Sequence, residues 1–134
     1  MLTENDVVDC VADYLKTQGW TILQTRTTLQ QGIDILAERG DEKIAIEAKG
    51  EGSARPESAR YGQHFNANQK RSHIAVALLT AIQVVSDGKY KAGLAFPDDK
   101  EHSRLITRIR PTLNILGIRV FLVRPDRTVD CAIS

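Results

Sequence analysis

An α/β domain of three layers, with helices packed on a central mixed five-stranded sheet, follows from three features of the chain. Apolar residues recur three or four apart in some segments and two apart in others, the periods of helix and strand. The segments come in the order helix, three strands, helix, strand, then helix and strand. The last strands are separated by helical crossovers, which gives parallel pairing, whereas the early strands are close enough for a hairpin, which makes the sheet mixed.

Thr3 can cap the first helix, and Asp6 at the third helical position fits a capping-box-like start. Val8, Val11, Ala12 and Leu15 share one face, and Gly19 ends the helix. Glu4, Asp6, Asp9 and Asp13 load its N-terminal part with acid, which suits the helix dipole. Residues 20–27, 32–38 and 43–49 read as three strands. Arg39-Gly40-Asp41-Glu42 turns the second into the third as an antiparallel hairpin, with glycine supplying the unusual backbone angle. In the third strand Ile44, Ile46 and Ala48 share one face, and Ala45, Glu47 and Lys49 the other. Residues 50–63 form a loop long enough to suspect a function.

A long helix is expected from about residue 64 to 86, with Ile74, Ala77, Leu78, Ala81 and Val85 on its apolar face and Asp87-Gly88 at its end. Residues 90–96 form the fourth strand. Pro97 and Asp98 lead into a helix over residues 100–116, which Pro111 should bend or split. Gly117 terminates it, and residues 118–123 form the fifth strand.

The 134 residues suffice for one core, so the whole span 1–134 is expected to be a single domain. With 42% hydrophobic and 26% charged residues the composition is that of a globular protein rather than a disordered one. No apolar run approaches the roughly 18–20 residues that cross a membrane. The N-terminus lacks the basic start and apolar stretch of a secretory signal, so a cytoplasmic, reducing setting is expected. Cys10 and Cys131 form no CxxC pair and read as small buried hydrophobes. The net charge of +1 hides an asymmetry. Residues 1–54 hold ten acids and five bases, and residues 55–134 hold seven acids and thirteen bases. An acidic part that can hold a cation and a basic part that can hold a polyanion are compatible with a metal-dependent nucleic-acid enzyme, and equally with two solvated surfaces that happen to differ.

The strongest constellation is Asp34 on the second strand with Glu47 and Lys49 on the third. Glu47 and Lys49 are two apart and leave the sheet on one side, and Asp34 can lie across from them. Two carboxylates suit a hard divalent cation, with the Ala48 carbonyl as a further oxygen ligand. Such a metal polarises a phosphodiester and acidifies bound water, and Lys49 can position that water or offset charge in the transition state. The plain alternative is an exposed strand pair beside a solvated turn acid.

Gly32-Ile-Asp34-Ile-Leu, a tight turn, then Ile44-Ala-Ile-Glu47-Ala-Lys49 resembles the PD-(D/E)xK nuclease superfamily, whose restriction-endonuclease-like core has the same order of elements. The resemblance covers most of the chain. It implies an Mg-dependent or Mn-dependent endonuclease hydrolysing phosphodiester bonds in DNA, with Asp34 and Glu47 as metal ligands and Lys49 assisting water attack. It also implies an acid on the first helix, for which Glu4 fits as a further catalytic residue and ligand. A polar residue on the helix after the third motif strand is implied too, and Gln69 fits it, with Lys70 and His73 as other candidates. Ile33 stands where the family has proline, a departure that removes no catalytic group.

Arg55, Arg60 and Tyr61 follow the candidate site in the long loop and, with Lys70 and Arg71, are candidates for contacting nucleic acid. Lys100, Arg104 and Arg108 form a basic stripe on the last helix, a pattern shared by many solvated helix faces. His64, His73 and His102 show no metal-ligand spacing. DNA is the expected partner, RNA remains open, and no membrane is involved. A homodimer would need an apolar edge, for which residues 118–123 are a candidate. The contrasting reading is a catalytically silent module on the same fold that binds nucleic acid or protein.

Overall fold

The computed structural model describes residues 1–26, 33–52 and 64–133. Its elements are α1 (Glu4–Thr17), β1 (Thr21–Thr25), β2 (Ile35–Arg39), β3 (Glu42–Ala48), α2 (Ala67–Asp87), β4 (Lys91–Pro97), α3 (Lys100–Leu116), β5 (Arg119–Val123) and β6 (Val129–Ile133). The six strands form one sheet in chain order. Three pairings are antiparallel, β1–β2, β2–β3 and β5–β6, while β3–β4 and β4–β5 are parallel.

The sheet therefore has six strands, not the expected five. After β5 the chain reverses through a tight turn. Asp126 Oδ1 accepts from both the amide and the hydroxyl of Thr128, at 3.0 and 2.6 Å, and Arg127 takes a left-handed φ of 71°. This side-chain-to-backbone turn returns the chain as β6 along β5. The expectation that residues 118–123 form an edge is corrected by the same hairpin, because β5 lies between β4 and β6.

Strand alternation sorts side chains onto two faces. Ile35, Ala37, Ile44, Ile46, Ala48, Ala95, Phe121 and Val123 face one core, which α1 closes with Val7, Val8, Val11 and Leu15. Ala92, Leu94, Phe96, Val120 and Leu122 face the other, closed by Ile74, Ala77 and Ala81 of α2 and Ile106 and Leu113 of α3. The layers are thus α1, sheet, and α2 with α3. At Gly93 an added Cβ would stand 2.9 Å from the Ile46 side chain, so the glycine lets β4 pack tightly beside β3.

The helices carry the caps the sequence spells. Thr3 and Asp6 make a full capping box on α1. Asn66 caps α2, which begins at Ala67 rather than near residue 64, and α2 and α3 end at Gly88 and Gly117 in the left-handed region. Pro111 does not divide α3, which runs unbroken through it. Pro111 and Thr107, whose carbonyl loses its helical donor there, are both exposed, so water can take the donor's place. Among the described residues no helix is long and apolar enough to cross a membrane. Cys10 is buried and Cys131 is partly buried.

Candidate active site

The candidate site lies where β3 ends. β2 and β3 pair with Ile35 opposite Ile46, and one step further the same register sets Asp34 opposite Glu47. Asp34 lies just before β2 and is only 5% exposed, so its carboxylate needs partners. One is the Ala48 amide, which donates to Oδ2 at 2.7 Å. Glu47 faces Asp34 across the hairpin. Burial, then Asp34, push the Glu47 carboxyl up to about 8, with Lys49 opposing and Glu4 adding to the rise.

Glu4 reaches this cluster because the chain after Lys49 is strapped to the start of α1. The Glu51 amide donates to the Leu2 carbonyl at 2.8 Å, and the Leu2 amide to Glu51 Oε1 at 2.6 Å. The strap leaves no room for a side chain at residue 50. A Cβ on Gly50 would press on the Glu4 amide nitrogen and lie 2.6 Å from the Thr3 carbonyl carbon. Beyond it, Gly52 bridges His64, and the Phe65 amide donates to the Glu51 carbonyl at 2.8 Å.

Asp34 and Glu47 therefore face each other beyond the β2–β3 pairing, with Lys49 and Glu4 near enough for their charges to act on Glu47. Gln69 sits at the start of α2, where its Oε1 accepts from the Asn66 amide at 2.8 Å to complete a capping box. Lys70 is largely buried, with Nζ 3.2 Å from Asp99 Oδ2, whereas Arg71 is exposed. Arg55, Arg60 and Tyr61 lie outside the described residues. Lys100, Arg104 and Arg108 are exposed on α3, and Arg104 is held by Glu101 at 2.9 Å.

Sequence reasoning passed over a second polar group, made by α2 and α3. Asp99 caps α3, accepting from the His102 amide at 2.9 Å, and its Oδ2 is 2.8 Å from His102 Nδ1. Burial opposes ionisation of Asp99, but the His102 ring and amide and Lys70 outweigh it and hold the carboxyl well below the usual range. The Asp-x-x-His spacing, a cap with a polar residue three further on, was its only local signal. His73 on α2 is half-buried. Burial, then the charges of Lys49 and His102, push its imidazole below the ordinary histidine range.

In the sequence comparisons no protein-family model matches the chain, and no curated protein matches it. Solved structures do. An XisH family protein from Nostoc punctiforme superposes with a TM-score of 0.57 at 18% identity, over 93% of this chain and 96% of that one. A fdxN element excision controlling factor protein from Anabaena variabilis gives 0.54 at 18% identity, over 94% and 96%. The fold is restriction-endonuclease-like. At this identity the likeness speaks for the fold alone. The restriction-endonuclease-like fold accounts for the ordering of α1, the β1–β3 meander, α2 and β4, with α3, β5 and β6 completing the sheet.

Asp34 and Glu47 are hard oxygen donors of the kind a divalent cation would use. A divalent cation would offset the charge that raises the proton affinity of Glu47. Among the described residues no three His, Cys, Asp or Glu side chains gather into a group that would hold a metal by themselves.

Proposed function

We propose that the chain is a metal-dependent phosphodiesterase that cuts DNA internally. The observation that carries this reading is the Asp34–Glu47 pair, in which burial and Asp34 raise the proton affinity of Glu47, with Lys49 just after β3. Buried carboxylate pairs of this kind mark functional sites. Magnesium or manganese, when bound, would polarise the phosphodiester and acidify a water.

The chain's own residues do the rest. Asp34 is fixed by the Ala48 amide, so its carboxylate is oriented before any ligand arrives. Glu47 would supply further oxygens and the Ala48 carbonyl a neutral one, while Glu4 adds negative charge nearby. Lys49 leaves β3 on the same side as Glu47 and offsets negative charge that develops on the phosphoryl oxygens. The positive residues of the second half, Arg71, Lys100 and Arg108 among them, are exposed to meet the polyanion.

The test is cleavage of supercoiled, linear, single-stranded, flapped and four-way-junction DNA, with magnesium, manganese or EDTA. Asp34→Ala and Glu47→Ala run alongside, with folding checked by circular dichroism. Metal-dependent cutting that both folded variants lose supports the reading, and variants that cut as well as the parent overturn it. RNA run in parallel separates the two nucleic acids. The absence of a self-sufficient three-ligand group among the described residues favours one second reading, a binding module without cleavage on the same fold. That module would bind nucleic acid or protein equally well in EDTA.

A further inference from the structure

The outer side of α2 differs from that of α3. No Lys, Arg, Asp or Glu occurs from residue 72 to residue 86, whereas α3 exposes Arg104 and Arg108. A helix that covers a sheet ordinarily turns charged and polar residues to water. On α2 the residues away from the buried Ile74, Ala77 and Ala81 are instead Val76, Leu79 and Ile82, exposed by 56%, 58% and 39%. The exposed side is also symmetric about Leu79. At about 100° per residue, every exposed position from 71 to 87 lies within about 80° of it. Val76 and Ile82 stand three residues to either side of Leu79, Ser72 and Ser86 seven, and Arg71 and Asp87 eight. Arg71 and Asp87 thus bound the apolar stripe with opposite charges, and both are exposed.

We propose that α2 packs antiparallel on α2 of a second copy of this chain, about a two-fold axis that passes between the two Leu79 side chains. A two-fold interface uses the same patch on both subunits, so the patch must complement itself. This one does. Leu79 meets its symmetry mate, and Val76 lies level with the partner's Ile82. About 12 Å further along at each end, Arg71 lies level with the partner's Asp87. A parallel pair would instead set Arg71 beside arginine and Asp87 beside aspartate, and like charges across an interface repel. Ser72 and Ser86 are small, which leaves the helices room to approach to the usual separation of about 8–10 Å. The symmetry also names the occupant, because a partner of other sequence would not call for these spacings. β5 cannot serve as the dimer edge, since β6 covers it, whereas α2 lies on the outside of its layer. The pairing does not rest on the nuclease reading. In the dimer Arg71 is committed to Asp87, which leaves Lys100 and Arg108 for a polyanion.

Sedimentation equilibrium of the whole chain, over about 5–500 μM protein, reads the association directly. One helix pair is small for a specific interface, so a dissociation constant of about 10–100 μM is expected. Leu79→Glu sets two carboxylates at the axis and should weaken association about tenfold or more, with the circular dichroism spectrum unchanged. Arg71→Glu and Asp87→Arg should each weaken it by a smaller factor. The double variant exchanges the two charges and should recover most of the parental affinity, a coupling that only a facing pair produces. A parent that stays monomeric at 500 μM overturns the proposal and leaves the stripe to a partner of other sequence. A dimer that Leu79→Glu leaves intact also overturns it, because that dimer uses another face. A dimer lost in Leu79→Glu but not recovered by the charge exchange overturns the antiparallel register.

Discussion

Replacing Glu47 with glutamine removes a titration that shapes the pH dependence of folding in the metal-free protein. Burial and Asp34 lift this carboxyl from 4.5 to about 8, so the folded chain holds a proton that the unfolded chain releases. The stability tied to that proton is complete below the unfolded value and is lost as pH rises through about 8, because the unfolded state binds fewer protons across the window. At 1.36 kcal/mol per pH unit the full interval is worth about 5 kcal/mol. Glu47 is half-buried and solvent screens it, so about half of that, roughly 2–3 kcal/mol, is the expected loss between about pH 5 and pH 9. With a urea dependence of roughly 1.5 kcal/mol/M, the midpoint should fall by about 1.3–2 M. Urea melts of parent and Glu47→Gln in EDTA test this. The two should agree at the acid end and diverge at the alkaline end, with the variant the more stable. A parent midpoint that stays level or rises over this window refutes the reasoning, as does a variant that tracks the parent throughout.

Magnesium at about one hundred times its dissociation constant should raise parental stability by about 2.7 kcal/mol, and Glu47→Gln should lose most of that gain in thermal melts. Gly50→Ala should destabilise by about 1–3 kcal/mol, because the methyl meets the backbone of Thr3 and Glu4, and should weaken metal binding measured by calorimetry. Thr3→Ala, which removes the α1 cap, should cost about 0.5–2 kcal/mol in chemical denaturation. Asp99 is held ionised by His102 and Lys70, so its contribution is present above its ordinary value of 3.8 and is lost as pH falls below it. In Asp99→Asn the acid limb of the stability curve should be correspondingly shallower.

Most of the architecture was legible because its signals are local. Thr3 with Asp6, Gly88 and Gly117 mark helix ends by chemistry that acts within a few residues, and the alternation of Ile44, Ile46 and Ala48 against Glu47 and Lys49 names the two faces of β3. The pairing of Asp34 with Glu47 followed from a short hairpin whose register admits few choices. β6 was missed because its five residues include Asp130 and follow a turn made by side-chain bonding, Asp126 to Thr128, rather than by glycine. The Lys70–Asp99–His102 cluster was hidden for a different reason, since it exists only once α2 and α3 pack together. Gln69 illustrates a competition within one residue, because the Asn-x-x-Gln spacing that admits a site role also spells a capping box.

The strap between Leu2 and Glu51 has a consequence for biosynthesis. It joins residues 49 apart, and closing a segment of that length costs on the order of 3–4 kcal/mol of chain entropy before any contact repays it. Glu4 leaves the ribosome early, but it meets Glu47 only after β1, β2 and β3 have followed and zipped together. A nascent or partly unfolded chain therefore carries its acidic residues apart, and whatever cation chemistry they support begins only when the first half of the molecule is whole.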